Sequence, residues 1–470
     1  MGFVTPNTVV ESTDKLAIAV NGYDDTTAPA YVNAATYTLD FPNQNGCSFG
    51  ASIAITHDKI FVGAPSWSDD GTVYTPGIIE QLDLDGNHEV SIVLNGATSL
   101  KYNFGGKIVA GEDCIYSSGN LYQGEGYSET CFKVDLPVGV TPNSELHSNY
   151  QGFSVDISGQ PFYGNRVRGQ DGRIQTGSTS NSSYIRDKVS GNRLILGKNW
   201  DAGINPASHG SIHIFTGGGA DVRRADPFEY RRYDVTDPNY FTHAQFAYKT
   251  AMDGEHIFSS WRICQASYGE GLDPDYEDSE GVVFVYDLNG NFKRYLYSPT
   301  LGESTGFIFF GEFMAAGDGR LAVYEVDYDD SRKRRIRVFD SQTLEFIATL
   351  DGWSAEDSNI ANTVIGGLEI GDGRILVGLP SYPVGGSIVG RVYVYDLDGN
   401  LISTIDNPDT NTQTSSTSFG QGAMAIGSGR IVIRALDSVS TGPDYIYIYE
   451  TPHQTSIWDT STKLVGRLIS

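Results

Sequence analysis

The sequence predicts an all-β protein: a β-propeller of seven four-stranded antiparallel blades. Three observations point there. First, a phrase made of Phe-Gly, a short apolar strand, a tight turn and a second apolar strand recurs. It reads "FGASIAITHDKIFVGAP" at 49–65, "FGGKIVAGEDCIYSSG" at 104–119, "FGEFMAAGDGRLAVYE" at 310–325 and "FGQGAMAIGSGRIVIRA" at 419–435. Second, another phrase follows it at a steady distance: "VVFVYDLNGNFKRYLY" at 282–297, "IRVFDSQTLEFIATL" at 336–350 and "VYVYDLDGNLISTI" at 392–405. Third, no segment carries a sustained apolar stripe of helical period. A supersecondary unit copied every ~55 residues is a repeat architecture. Two strands from each phrase make four per unit, as in a propeller blade.

The unit starts fall at Phe49, Phe104, Phe162, Phe246, Phe310, Val364 and Phe419. Strand one alternates apolar and small residues, as in "SIAIT" and "AMAIG", which suits strands crowded near an axis. The turns "GDG", "MDG" and "GSG" supply the positive φ of tight hairpins. Strand three ("VFVYD", "VYVYD", "YIYIYE") is β-branched and aromatic, fit for packing on both faces. The tips "DLNGN" and "DLDGN" lead into strand four. Gly63 and Gly378 are expected where two backbones approach closely.

Ahead of Phe49, the run "ATYTLDFP" (35–42) is placed to complete the C-terminal blade as a clasp strand. In the alternative, residues 1–48 and 456–470 form an eighth blade. The expected organisation is an arm at 1–34, the propeller at 35–460 and a tail at 461–470. Between Phe162 and the next strand, residues 169–188 are rich in Gly, Ser and Asn and read as a surface loop.

Thirty-two Lys+Arg against 58 Asp+Glu leave a formal charge of -26. Such a field repels phosphate backbones, so no nucleic-acid partner is expected. No run is long enough to span a bilayer, and the first residues lack the basic and apolar regions of a secretory leader. Cys114 and Cys131 are placed to face each other across two strands of one blade, either as thiols or as a disulfide.

The chemistry of a dedicated enzyme is not visible. No HxxxH, CxxC, GxSxG or phosphate-loop pattern occurs. No catalytic residue, metal or cofactor is therefore expected, although paired carboxylates from different blades would suit glycoside cleavage. Binding candidates are aromatic and charged. Trp67 in "VGAPSW" and Tyr382 in "VGLPSY" hold one repeat position, with Trp200 and Trp261 close to it. Such rings on one face would stack sugars, or else they seal the sheet edges. Arg332, Lys333, Arg334 and Arg335 form the densest basic cluster, in a loop read as 327–337. They would dock an acidic neighbour, or be neutralised by Asp327, Asp329 and Asp330. "RRADPFEYRR" (223–232) is a similar strip. Asp273, Asp275, Glu277, Asp278 and Glu280 offer a weak cation site without the central glycine of an EF-hand loop, and otherwise form a solvated acidic loop.

The quoted phrases resemble FG-GAP repeat propellers, the class of the integrin α-subunit head. The likeness spans 35–460 and is strongest in the units at Phe49, Val364 and Phe419. Integrin-type repeats hold Ca²⁺ in a long acidic loop between strands one and two. Here those positions are short turns with at most one carboxylate, such as Asp318 or Asp372, too few oxygens for calcium. The Ca²⁺-free form is similar to repeat propellers in structural and tail proteins of marine bacteriophages. That likeness implies a non-enzymatic virion protein assembled in the host cytoplasm, with other virion proteins and a host-surface glycan as partners. The alternatives are a secreted bacterial adhesin and a propeller-fold glycan hydrolase.

Overall fold

Among the described residues every regular element is a β-strand. The computed structural model describes residues 33–38, 48–67, 77–92, 101–110, 114–122, 127–135, 154–155, 161–162, 167–168, 173–174, 193–201, 209–216, 223–225, 245–262, 281–300, 308–327, 333–350, 365–384, 387–388, 390–408, 418–436 and 445–451. They form six four-stranded sheets, one three-stranded sheet and three two-stranded ribbons. The architecture is that of β-propeller structures.

The sheet opened by Phe49 shows the common plan. Ser52–Ile55, Lys59–Ala64, Ile78–Asp83 and His88–Ile92 pair in chain order as an antiparallel meander. Sheets of the same order follow Phe246, Phe310 and Ile365. The last sheet departs from it. Its strands Ser418–Gly427, Arg430–Leu436 and Tyr445–Glu450 come from the C-terminal part, and its outer strand is Asn33–Thr38, with Tyr37 opposite Ile446.

The Phe-Gly phrase has a structural reason. Strand one slips register there, between Phe310 and Met314 and between Phe419 and Met424. In the Phe104 unit the slip splits the strand into Lys101–Tyr102 and Ile108–Ala110. The Phe ring is driven inward and is fully buried at Phe49, Phe104, Phe310 and Phe419. The residue after it takes a left-handed backbone, φ +99° at Gly311 and +78° at Gly420, which only glycine adopts without cost.

Strand three is buried along its whole middle, as at Val283–Tyr286 and Val392–Tyr395. The core is accordingly a set of slabs between neighbouring sheets. Leu376, Val392 and Val394 pack against Phe419, Ile431 and Ile433 of the next sheet. Ile60, Val62 and Ile78 pack against Val432, Ile446 and Ile448, so the C-terminal sheet lies against the N-terminal one. Glycines let the slabs close. A Cβ on Gly63 would stand 1.9 Å from the Gly105 carbonyl oxygen of the next sheet, and one on Gly378 would stand 2.3 Å from that of Gly420. Both close approaches expected from the sequence are present.

Three of the tips between strands three and four share one plan, from which the Asp340 tip departs. Asp396 accepts hydrogen bonds from the backbone N–H groups of Asp398 and Asn400 and from the Asn400 side chain, and Asp83 and Asp287 repeat the pattern. Slight burial pushes the Asp83 carboxyl up, but the Asn87 and Asp85 donors more than offset it and hold it below the ordinary range. Asp396→Ala should lower unfolding stability by about 1 kcal/mol through loss of this turn, read by urea denaturation.

One expectation is corrected. Cys114 and Cys131 are not opposite each other: Cys114 pairs with Asp135 and Cys131 with Ser118. That register sets them about 13 Å apart along the strands, beyond the reach of a disulfide. The unit expected to start at Phe162 lies largely outside the described residues; Pro161–Phe162 pairs with Ser154–Val155 and Val167–Arg168 with Arg173–Ile174. Further on, Arg193–Asp201 pairs with His209–Thr216 in the three-stranded sheet. The terminal segments 1–32 and 452–470 lie outside the described residues.

Candidate interaction faces

An antiparallel meander puts its first and third turns at one end and its second turn and exit at the other. One face of the molecule therefore carries the loops after strand two, and the opposite face carries the strand one-to-two turns and the Asp-Asn tips.

On the loop face, Trp67 and Tyr382 share one backbone geometry. Trp67 N–H donates to Ala64 O and Tyr382 N–H to Leu379 O, while Gly77 and Gly390 donate back to Trp67 O and Tyr382 O. Neither ring is an open platform. Trp67 is half-buried against the cluster that includes Phe49, Val62 and Ile446. The Arg391 guanidinium lies 4.3 Å from the Tyr382 ring centroid, a cation–π contact. Its Nη2 is held 2.9 Å from Asp406 Oδ2. Tyr393 meets Tyr382 edge-on, and burial, with help from Tyr382, pushes its phenol up to about 12. Both rings rest, partly buried, against clusters shared by neighbouring sheets. Trp200 and Trp261 lie within strands, Arg193–Asp201 and His256–Arg262, and not in the loops beyond them. Their side chains fall outside the described set.

The basic cluster is also corrected. Lys333, Arg334 and Arg335 belong to strand Lys333–Asp340, not to a loop, and Lys333 stands opposite Asp327. Arg335 Nη1 is 3.1 Å from Glu325 and 3.4 Å from Asp327. Arg337 makes the stronger pair, donating from Nε (3.0 Å) and Nη2 (2.8 Å) to the two oxygens of Glu325. Ser298, leaving the preceding sheet, donates to the same carboxylate. Glu325 is wholly buried. Burial pushes its carboxyl up, but the Arg337, Ser298 and Arg335 donors outweigh this and hold it below the ordinary range. The alternation of charge on facing strands, Glu325-x-Asp327 against Arg335-x-Arg337, was the signal that these residues pair with each other.

Arg332 and the acidic run Asp273, Asp275, Glu277, Asp278 and Glu280 lie outside the described residues. So does most of 223–232, of which Arg223–Ala225 forms a strand edge against Ile212–Ile214. Among the described residues no three His, Cys, Asp or Glu side chains come together as a metal site.

The turn face carries an arrangement the sequence reading missed. The lone turn carboxylates are ties between sheets. Asp253 accepts from the Gly319 N–H (2.9 Å), Asp318 from Gly373 (2.8 Å) and Asp372 from Gly429 (2.8 Å). Ser428, at the equivalent place in the last sheet, donates to Thr56 O of the N-terminal sheet. A second row lies outside it. Arg320 Nε donates to Leu397 O, with Nη2 3.3 Å from Asp398; Arg430 does the same to Leu84 O and Asp85. Each arginine opens strand two and grips the tip of the following sheet.

No protein-family model and no curated protein matches the sequence. Solved structures align with the fold at low identity. The β-propeller domain of the trilobed protease from Pyrococcus furiosus aligns over 86% of this chain and 98% of that one, at 10% identity and a TM-score of 0.47. An acylaminoacyl peptidase from Pyrococcus horikoshii aligns over 82% of this chain and 48% of that one, at 10% identity and a TM-score of 0.42. The GH74 enzyme of Niastella koreensis aligns over 89% of this chain and 53% of that one, at 13% identity and a TM-score of 0.42.

Proposed function

We propose that this chain is a non-enzymatic virion protein, a rigid propeller on a bacteriophage tail or capsid surface that serves assembly and adhesion. The finer reading of the fold is a ring of seven FG-GAP-style blades closed by Asn33–Thr38. One observation carries the proposal: the carboxylate-to-glycine ties that run from sheet to sheet and end in the Ser428–Thr56 bond. Charged side chains at these turns are spent on holding sheets in register. A scaffold needs that stiffness and a substrate cleft would use the same groups otherwise. The negative charge of the chain suits a soluble platform that stays off nucleic acid.

The test is location. Particles from a culture producing the chain are banded on a density gradient, and each fraction is analysed by mass spectrometry. The chain should co-band with intact phage. Recovery only in the free soluble or cell-envelope fractions would contradict the proposal, and hydrolysis of a polysaccharide by the purified chain would contradict its non-enzymatic part.

A further inference from the structure

Among the described residues the arginine grip is made at two junctions, while Arg374, at the same position of the sheet after Ile365, turns back to its own Asp372 carbonyl; at a further junction a histidine stands in its place. Where the sheet after Phe246 meets the sheet after Phe310, strand two opens with His256: Asp253 pairs with His256 as Gly317 pairs with Arg320 and Gly427 with Arg430. The imidazole still reaches the neighbouring tip, with Nδ1 2.9 Å from Ser341 O. That carbonyl is the counterpart of Leu397 O and Leu84 O. The next tip residue, Asp398 or Asp85 at the other two junctions, is Gln342 here. Both halves of the ion pair are thus replaced together. Beside this junction lies an open cleft of about 530 Å³, lined by Glu255, His256, Asn289, Arg294, Gln342 and Thr343 with Leu288 and Leu344.

The hydrogen-bonding capacity of that lining selects a ligand class. Ser341 O is an acceptor, so Nδ1 carries the proton toward it, and in the neutral ring Nε2 is a bare acceptor facing outward. Glu255 accepts only, Arg294 donates only, and Gln342 does both. The other charged pair of the lining, Lys293 and Asp287, meets at 3.4 Å and adds no net charge. A carboxylate has no proton to give Glu255 and Nε2, and a phosphate brings negative charge against Glu255. An ammonium cannot accept from Arg294. Hydroxyl groups donate and accept at once, and the opposite charges of Glu255 and Arg294 leave no net pull toward an ion. Leu288 and Leu344 offer an apolar floor for C–H faces. The volume falls within the range of small-molecule sites.

We propose that this cleft is a binding site for a neutral saccharide, on the turn face and not on the aromatic loop face. The inference deepens the adhesion reading above, and its test is independent of it: the gradient reports where the chain resides, and the titration reports what the cleft holds.

The purified full chain is screened on an array of neutral oligosaccharides, and hits are titrated by calorimetry beside inorganic phosphate and acetate. A neutral saccharide should bind and both anions should not. His256→Arg with Gln342→Asp rebuilds the grip of the Arg320 and Arg430 junctions; it should raise the melting temperature and weaken the saccharide at least tenfold. Glu255→Ala and Gln342→Ala alter exposed side chains and should weaken binding in a chain that still folds. An array without a hit, binding of the anions in place of a sugar, or saccharide affinity unchanged in the folded Glu255→Ala and Gln342→Ala variants would each overturn the assignment.

Discussion

Gly378→Ala should lower unfolding stability by about 3 kcal/mol or more, the upper range for an overpacked core. The new methyl would stand 2.3 Å from the Gly420 carbonyl oxygen and 3.1 Å from its carbon, both backbone atoms of the next sheet. No side chain is available to swing away, so two sheets must separate. The effect belongs to the junction, and a control shows it. Gly422 has a positive φ, +80°, which Gly378 does not, and nothing lies within 4 Å of its missing Cβ. Gly422→Ala should therefore cost only the left-handed backbone penalty, about 1–2 kcal/mol. Urea denaturation of the two variants measures the difference. Equal losses would mean that sheet contact does not limit what Gly378 tolerates.

Arg337→Met should destabilise by about 3 kcal/mol, because it removes the two-pronged donor of a carboxylate with no exposed surface and leaves only Ser298, Thr300 and Arg335 to hold it. The double variant Glu325→Leu with Arg337→Met removes both charges and should recover most of the loss. That recovery separates the cost of a carboxylate left with fewer donors from the net worth of the pair. The pH dependence has a fixed sign. The Glu325 carboxyl is held below its ordinary value of 4.5. Its contribution is thus complete above about pH 4.5 and is lost as pH falls through the lower folded-state value. In thermal melts the wild type should lose more stability than the double variant on acidification below that point.

Much of the fold was legible because its cause is local. A Phe-Gly pair reports a bulge, since one residue must be buried and the next must be left-handed. Alternation in "VYVYD" reports a strand packed on both faces. The outer strand of the last sheet was legible from position alone, as a strand-like run just ahead of the first repeat. The interaction residues were less legible because their partners are distant in sequence. Nothing near Tyr382 announces that Arg391, held by Asp406, will cover its ring. Arg335 reads as a surface cation until the register brings Glu325 beside it. The Cys114 and Cys131 pairing failed for a related reason: two strands can be assigned correctly while their register is off by four residues. The His256 and Gln342 exchange was in the sequence throughout, but it has meaning only once Arg320 and Arg430 are seen gripping tips far along the chain.

The central claim is that the chain closes on itself, with Asn33–Thr38 and the first sheet locking the last. Hydrogen exchange of Tyr445–Glu450 tests it most directly, measured in the full chain and in one starting at residue 39. Asn33–Thr38 is the outer neighbour of that strand. Closure predicts strong protection of these amides in the full chain, and fast exchange with a lower melting temperature in the truncated one. Equal protection in the two chains would contradict it.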